Sequence, residues 1–195
     1  MLRLFAGLII AMVQSAAIAV VAVLLGDNGP RHDGRLTVLP FGHVDMLGLG
    51  AIMLTGFGWG RPVAIDASKL RIGRWGLVVI ALAGSAALLL LGYLLLLLVI
   101  PLLITLPYTA GLAAAAFMRV AAQLCVWTAV FSLLPIPPLA GAHFLAALGI
   151  SIPRQAGTYL AWALLAASIF GVTRMLMTPA YDLVAPIVLG IDAAG

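Results

Sequence analysis

The sequence predicts an all-α polytopic membrane protein made of one transmembrane domain over residues 1–195, and three observations carry that prediction. First, 65% of the 195 residues are hydrophobic and only 8% are charged, with mean hydropathy +1.24; a soluble domain is about 45–50% apolar and about 25% charged. Second, several uninterrupted apolar runs are long enough to cross a hydrocarbon core of about 30 Å. Third, the formal charge of +4 is spread over short loops, which suits cationic flanks of membrane helices and argues against nucleic-acid binding. The single cysteine, Cys125, lies inside an apolar run, so neither an internal disulfide nor a cysteine-rich metal cluster can form. No internal repeat is visible.

Residues 4–25, preceded by Arg3, read as the first transmembrane helix, since a secretory signal has an apolar region of only about 7–15 residues. Residues 26–40 turn polar, with His32 and Asp33 facing water, and end in a short strand-like piece at 35–39. Residues 43–59 are apolar but carry Gly48, Gly50, Gly56 and Gly58. They form either a short helix packed closely on its neighbours or a re-entrant segment, and whether they span stays open. Residues 61–74 hold Arg61, Lys69, Arg71 and Arg74, the densest positive cluster, which the positive-inside rule places in the cytoplasm. If 43–59 crosses the membrane, Arg3 is cytoplasmic too; if it does not, the two charge signals conflict.

Residues 75–100 form a long span closed by Pro101 and Pro107, and residues 110–134 form the next. The break Pro135-Ile136-Pro137-Pro138 leads into a short helix at 142–150, a loop with Ser151, Pro153 and Arg154, and a span at 157–177. Residues 181–191 are too short to cross unless they tilt or begin earlier, which makes five to six segments in all. Arg119 lies inside an apolar span, where an ionisable group is a functional candidate by default. Placed a turn or two from the helix end, it is expected to snorkel to the interface or to contact a partner. Ser15 has no histidine or lysine near it in sequence to make it a nucleophile.

Two motifs stand out. The first runs Leu25-Gly26-Asp27, Gly34-Arg35-Leu36-Thr37, Pro40, His43, Asp45 and Gly48, closing with Gly56-Phe57-Gly58-Trp59-Gly60-Arg61-Pro62-Val63. The second is Leu133-Leu134-Pro135-Ile136-Pro137-Pro138-Leu139-Ala140-Gly141-Ala142-His143. In order and spacing they resemble the short bacterial site-2 protease family, whose pattern runs L-G-D, G-R-L-T-x-N-P, H-x-D, G-F-G-W-x-K/R-P-V and N-L-L-P-I-P-P-L-D-G-G-H. The resemblance covers residues 4–150 and extends through the C-terminal helices at 157–191. It implies a helical bundle in a bacterial inner membrane, with a zinc ion held by two histidines of H-E-x-x-H and the aspartate of L-D-G. Histidines at i and i+4 share a helix face, and the glutamate reaches the metal-bound water. Zinc lowers the pKa of that water from about 15.7 to about 7.

Counting back from Asp27 sets H-E-x-x-H on Gln14, Ser15, Ala16, Ala17 and Ile18, while the aspartate of L-D-G falls on Ala140. All three ligands and the base are replaced. The pattern A-G-P-x-x-N maps onto Ala83 to Leu88, and the asparagine of N-L-L-P falls on Ser132, so the amides that could hold an extended substrate are gone as well. The resemblance therefore implies a non-proteolytic relative with no cofactor and no catalytic residue. It would act as an accessory, assembly or scaffold subunit that binds other integral membrane proteins within a larger complex. The alternatives are a metallohydrolase with an unorthodox site at His43, Asp45 and His143, or a lipid- or pigment-contacting structural subunit. Trp59 and Arg61 suit interfacial anchors, and with Arg119 they are the candidates for partner contact. Gln14, Ile18 and Ala140 are expected to converge on one apolar space.

Overall fold

Residues 2–24 contain no proline and almost no polar side chain, and they form α1 (Leu2–Leu24). The helix stops where Gly26 takes φ +115°. A side chain there would meet the Lys69 carbonyl, because the chain returns to this point and Arg71 N donates to the Leu25 carbonyl at 2.7 Å. Asp27, 1% exposed, completes the junction by accepting from Gly29 N at 2.9 Å and Asp66 N at 2.8 Å. The computed structural model describes residues 2–34, 44–150 and 152–190; among them the chain is helical, with one isolated antiparallel bridge between Val44 and Gly60. The strand-like piece expected at 35–39 lies outside the described residues, as does His43.

A one-turn helix, α2 (Gly29–His32), follows α1. Asp45 then caps α3 (Met46–Thr55), its carboxylate accepting from Gly48 N, and Gly56 in the left-handed region ends it. Ten residues rise only about 15 Å, half of a hydrocarbon core, so α3 cannot span by itself. It packs instead. A Cβ on Gly48 would overlap the Trp59 carbonyl, and one on Gly58 would overlap the Gly48 carbonyl. Since lipid tails are as apolar as leucine, close backbone approach of this kind holds helices together in a bilayer where burial of apolar surface does not.

α4 (Trp75–Leu97) and α5 (Val99–Thr105) make one 31-residue apolar stretch with a break at Leu98, and α6 (Tyr108–Ser132) returns antiparallel beside it. Ser85 and Ser132 hydroxyls share a buried hydrogen bond of 2.9 Å. Such a bond between membrane helices is worth about 0.6 kcal/mol on average. α7 (Ala142–Ala147) follows the proline-rich turn, and then come α8 (Arg154–Ile169) and α9 (Val172–Leu189). The single span expected at 157–177 is thus two helices. Gly171, at φ +76°, divides them. α9 lies across α6, with Tyr181 stacked on Trp127 at 4.1 Å and Tyr181 and Ala185 clustered with Val126.

Among the described residues four helical stretches are long and apolar enough to cross a membrane, namely α1, the α4–α5 stretch, α6 and α9. Together with the shorter α3 and α8 they make a polytopic all-α membrane protein. Arg3 and the loop at 61–74 occupy opposite ends of α1: Leu25 holds Arg71, and Arg3 is 22 residues away, about 33 Å along the axis. The two positive signals therefore do conflict. Arg119, exposed on α6, stands 11 residues into the helix, about three turns and more than the turn or two the sequence suggests. Ser132 is level with Ser85, about 15 Å below Trp75, and Arg119 is about 20 Å further on. That brings its guanidinium to the level of Arg3, within reach of the far interface.

Candidate functional site

The second half of α1 presents Gln14, Ser15 and Ile18 to the interior, at 5%, 3% and 6% exposure. Gln14 and Ile18 point the same way, as the i, i+4 spacing dictates. A Cβ on Gly84 of α4 would meet Ile18 Cγ1 at 2.8 Å and Gln14 Cγ at 3.5 Å. Gly84 is therefore what lets α4 lie against this face.

Across from α1, α6 stops at Ser132 and the chain turns through Leu133–Gly141. Gly141 N donates back to the Ser132 carbonyl at 2.7 Å, and the Pro137–Pro138 peptide is cis. A side chain on Gly141 would overlap the Leu133 and Leu134 carbonyls, so the turn closes tightly and presents Ala140 and His143. Gln14, Ser15, Ile18, Ser132, Ala140 and His143 all line one cavity of about 750 Å³, within the range of small-molecule clefts of about 300–1,000 Å³. Asp45, Arg61 and Thr158 contribute to the same walls. Three of the residues singled out from sequence, Gln14, Ile18 and Ala140, thus meet, although 122 positions separate Ile18 from Ala140.

The donors at positions 14, 15, 18 and 140 do not suit zinc. The four positions that the family pattern assigns to its metal chemistry offer one amide, one hydroxyl and two aliphatic side chains, whereas zinc is bound by thiolate, imidazole and carboxylate. Among the described residues no group of three His, Cys, Asp or Glu side chains could hold a metal ion. Of the alternative set, Asp45 and His143 do face the same cavity, but one Asp45 oxygen is engaged in capping α3. Among the described residues no hydrogen bond joins Ser15 to His143, so a serine nucleophile is not assembled either.

Trp59 corrects an expectation. It is not an interfacial anchor but 3% exposed, packed on Phe131 at 6.3 Å between ring centroids, with its Nε1 lacking a partner among the described residues. The motif that carries it serves to dock α3. Arg61 remains exposed and on the cavity wall. Sequence reasoning did not single out the Ser85–Ser132 pair, though both fall within the two motif stretches whose family residues are replaced. Nor did it assign Asp27 its task of fastening the 66–71 loop to the end of α1.

Against curated proteins, the chain is similar to a Bacillus subtilis (strain 168) protein named "Putative zinc metalloprotease YwhC". The two are 31% identical over 131 residues, which cover 63% of this chain and 58% of that relative. A site-2-protease-like relationship is supported. The matched part spans under two thirds of the relative's own length. No protein-family model matches, and no solved structure matches. The similarity is to a metalloprotease by name.

Proposed function

We propose that the chain is a membrane pseudoprotease: it keeps a site-2-protease-like scaffold and uses the cavity between α1 and the 133–143 turn to engage transmembrane segments of other integral membrane proteins, as an accessory or assembly subunit. The observation that supports this most is the convergence of Gln14, Ser15, Ile18 and Ala140 on one cavity without an imidazole or carboxylate among them. Without a metal to lower the pKa of water or polarise a carbonyl, peptide hydrolysis in the bilayer lacks its nucleophile. On this reading the protein resides in a bacterial inner membrane with the 61–74 loop in the cytoplasm, the denser positive cluster outweighing the lone Arg3.

The test has two arms. Elemental analysis of the purified chain should find no stoichiometric zinc, and a transmembrane peptide incubated with it should stay intact. About one zinc per chain, lost in His143→Ala, would replace this reading with the site at His43, Asp45 and His143. In the second arm, a photo-crosslinking residue replaces Ile18 in the cavity or Leu90 on the exposed surface. Protein adducts should form from position 18 and not from 90; equal yields, or none from 18, overturn the scaffold role.

A further inference from the structure

A second cavity, about 470 Å³, lies between the start of α1, the end of α3, the middle of α6 and the start of α9. It is distinct from the one just described, lying at the opposite end of α1. Its polar lining is Arg3, Thr55, Gln123 and Arg174, and among the described residues no carboxylate contributes to it. The rest is apolar, including Leu4, Val120 and Leu124. Arg174 is held in place, its guanidinium carbon 5.3 Å from the centre of the Trp127 ring. Cation–π contact of this kind fixes the side chain while leaving its N–H donors free to bind an anion. Arg174 also stands in the first turn of the 18-residue α9, where the helix dipole favours negative charge.

Position decides what kind of anion. Arg3 is about 33 Å along α1 from the Leu25 junction, so the cleft opens at the far membrane face, where headgroups lie. Two guanidiniums beside an apolar wall match a molecule with a phosphate at one end and hydrocarbon at the other. A zwitterionic lipid would bring an ammonium into a site with no carboxylate among its described residues to receive it. We propose that this cleft binds an anionic phospholipid, with its phosphate between Arg3 and Arg174 and an acyl chain along the apolar wall.

The experiment titrates dioleoylphosphatidylglycerol or dioleoylphosphatidylcholine into the detergent-purified full chain and reads bound lipid by native mass spectrometry. Phosphatidylglycerol should bind at least about 10-fold more tightly. Arg3→Gln and Arg174→Gln should each weaken it roughly 5-fold, and together roughly 30-fold, from the contribution of one basic residue near an anionic surface. Binding of phosphatidylcholine should not change. Arg3 lies in the exposed first turn, so its variant tests the site without endangering the fold. Arg119→Gln, on the same face but outside the cleft, should leave phosphatidylglycerol binding intact. Three results overturn the proposal: equal affinity for both lipids, an Arg119→Gln loss as large as the double variant's, or full displacement by inorganic phosphate, which would mark a bare anion site.

Discussion

If α1 is registered against the proline-rich turn as described, three substitutions should create a metal site where none is built. Gln14→His and Ile18→His place two imidazoles on the face that meets Gly84, and Ala140→Asp supplies a carboxylate from the opposite wall of the same cavity. The triple variant should hold about one zinc per chain, and the parent none. Ile18 is 6% exposed, so exchanging it for an imidazole should cost about 2 kcal/mol without metal. Zinc at 100 times its dissociation constant returns about 2.7 kcal/mol. At about 2–4 °C per kcal/mol for a chain of this size, the melting midpoint should fall by about 4–8 °C when metal-free. It should then rise by about 5–11 °C when zinc is added. Elemental analysis gives the stoichiometry, and a tryptophan-fluorescence melt in detergent gives the shifts. Val13→His with Ala17→His and Ala140→Asp is the control, since it turns the pair off the cavity-facing surface. A folded triple variant that takes up no zinc, or takes up no more than this control, would refute the register and with it the alignment of the two motifs.

Gly48→Ala should destabilise the protein by about 3 kcal/mol or more, since its Cβ meets the Trp59 backbone and not a yielding side chain; Gly50→Ala, with nothing within 4 Å, should be tolerated, and monodispersity on size exclusion separates the two. Single cysteines replacing Leu2 and Lys69, in a Cys125→Ala background, should react with an impermeant maleimide from opposite sides of sealed vesicles, and labelling of both from one side would contradict the span of α1.

The apolar runs made most of the fold legible, because in lipid a helix of sufficient length is the only way to satisfy a backbone locally. The glycines between 43 and 59 correctly indicated close packing, and the structure settles that α3 is too short to cross. What hydropathy does not encode is the break between helices: the apolar run continues on both sides of Gly171, whose positive φ divides α8 from α9. Trp59 was misjudged because tryptophan favours interfaces on average, whereas here the Gly48 and Gly58 contacts draw it inward. At the site, the motif spacing placed Gln14, Ile18 and Ala140 together from sequence. The cleft at Arg3 and Arg174 was not legible, since its walls come from four helices whose order in space no periodicity reveals.

The early end of α6 has a consequence for the solvent. Ser132 lies about 15 Å below Trp75, so the chain from Leu133 to Gly141 traverses the middle of the bilayer without regular helix. Among the described residues the Pro137 and Pro138 carbonyls accept no backbone donor, and hydrocarbon cannot satisfy them. Both residues border the larger cavity, so water entering there would satisfy them halfway into the membrane. A guest helix leaning on this wall would find hydration at a depth where its own backbone is otherwise sealed, and could locally uncoil there at reduced cost.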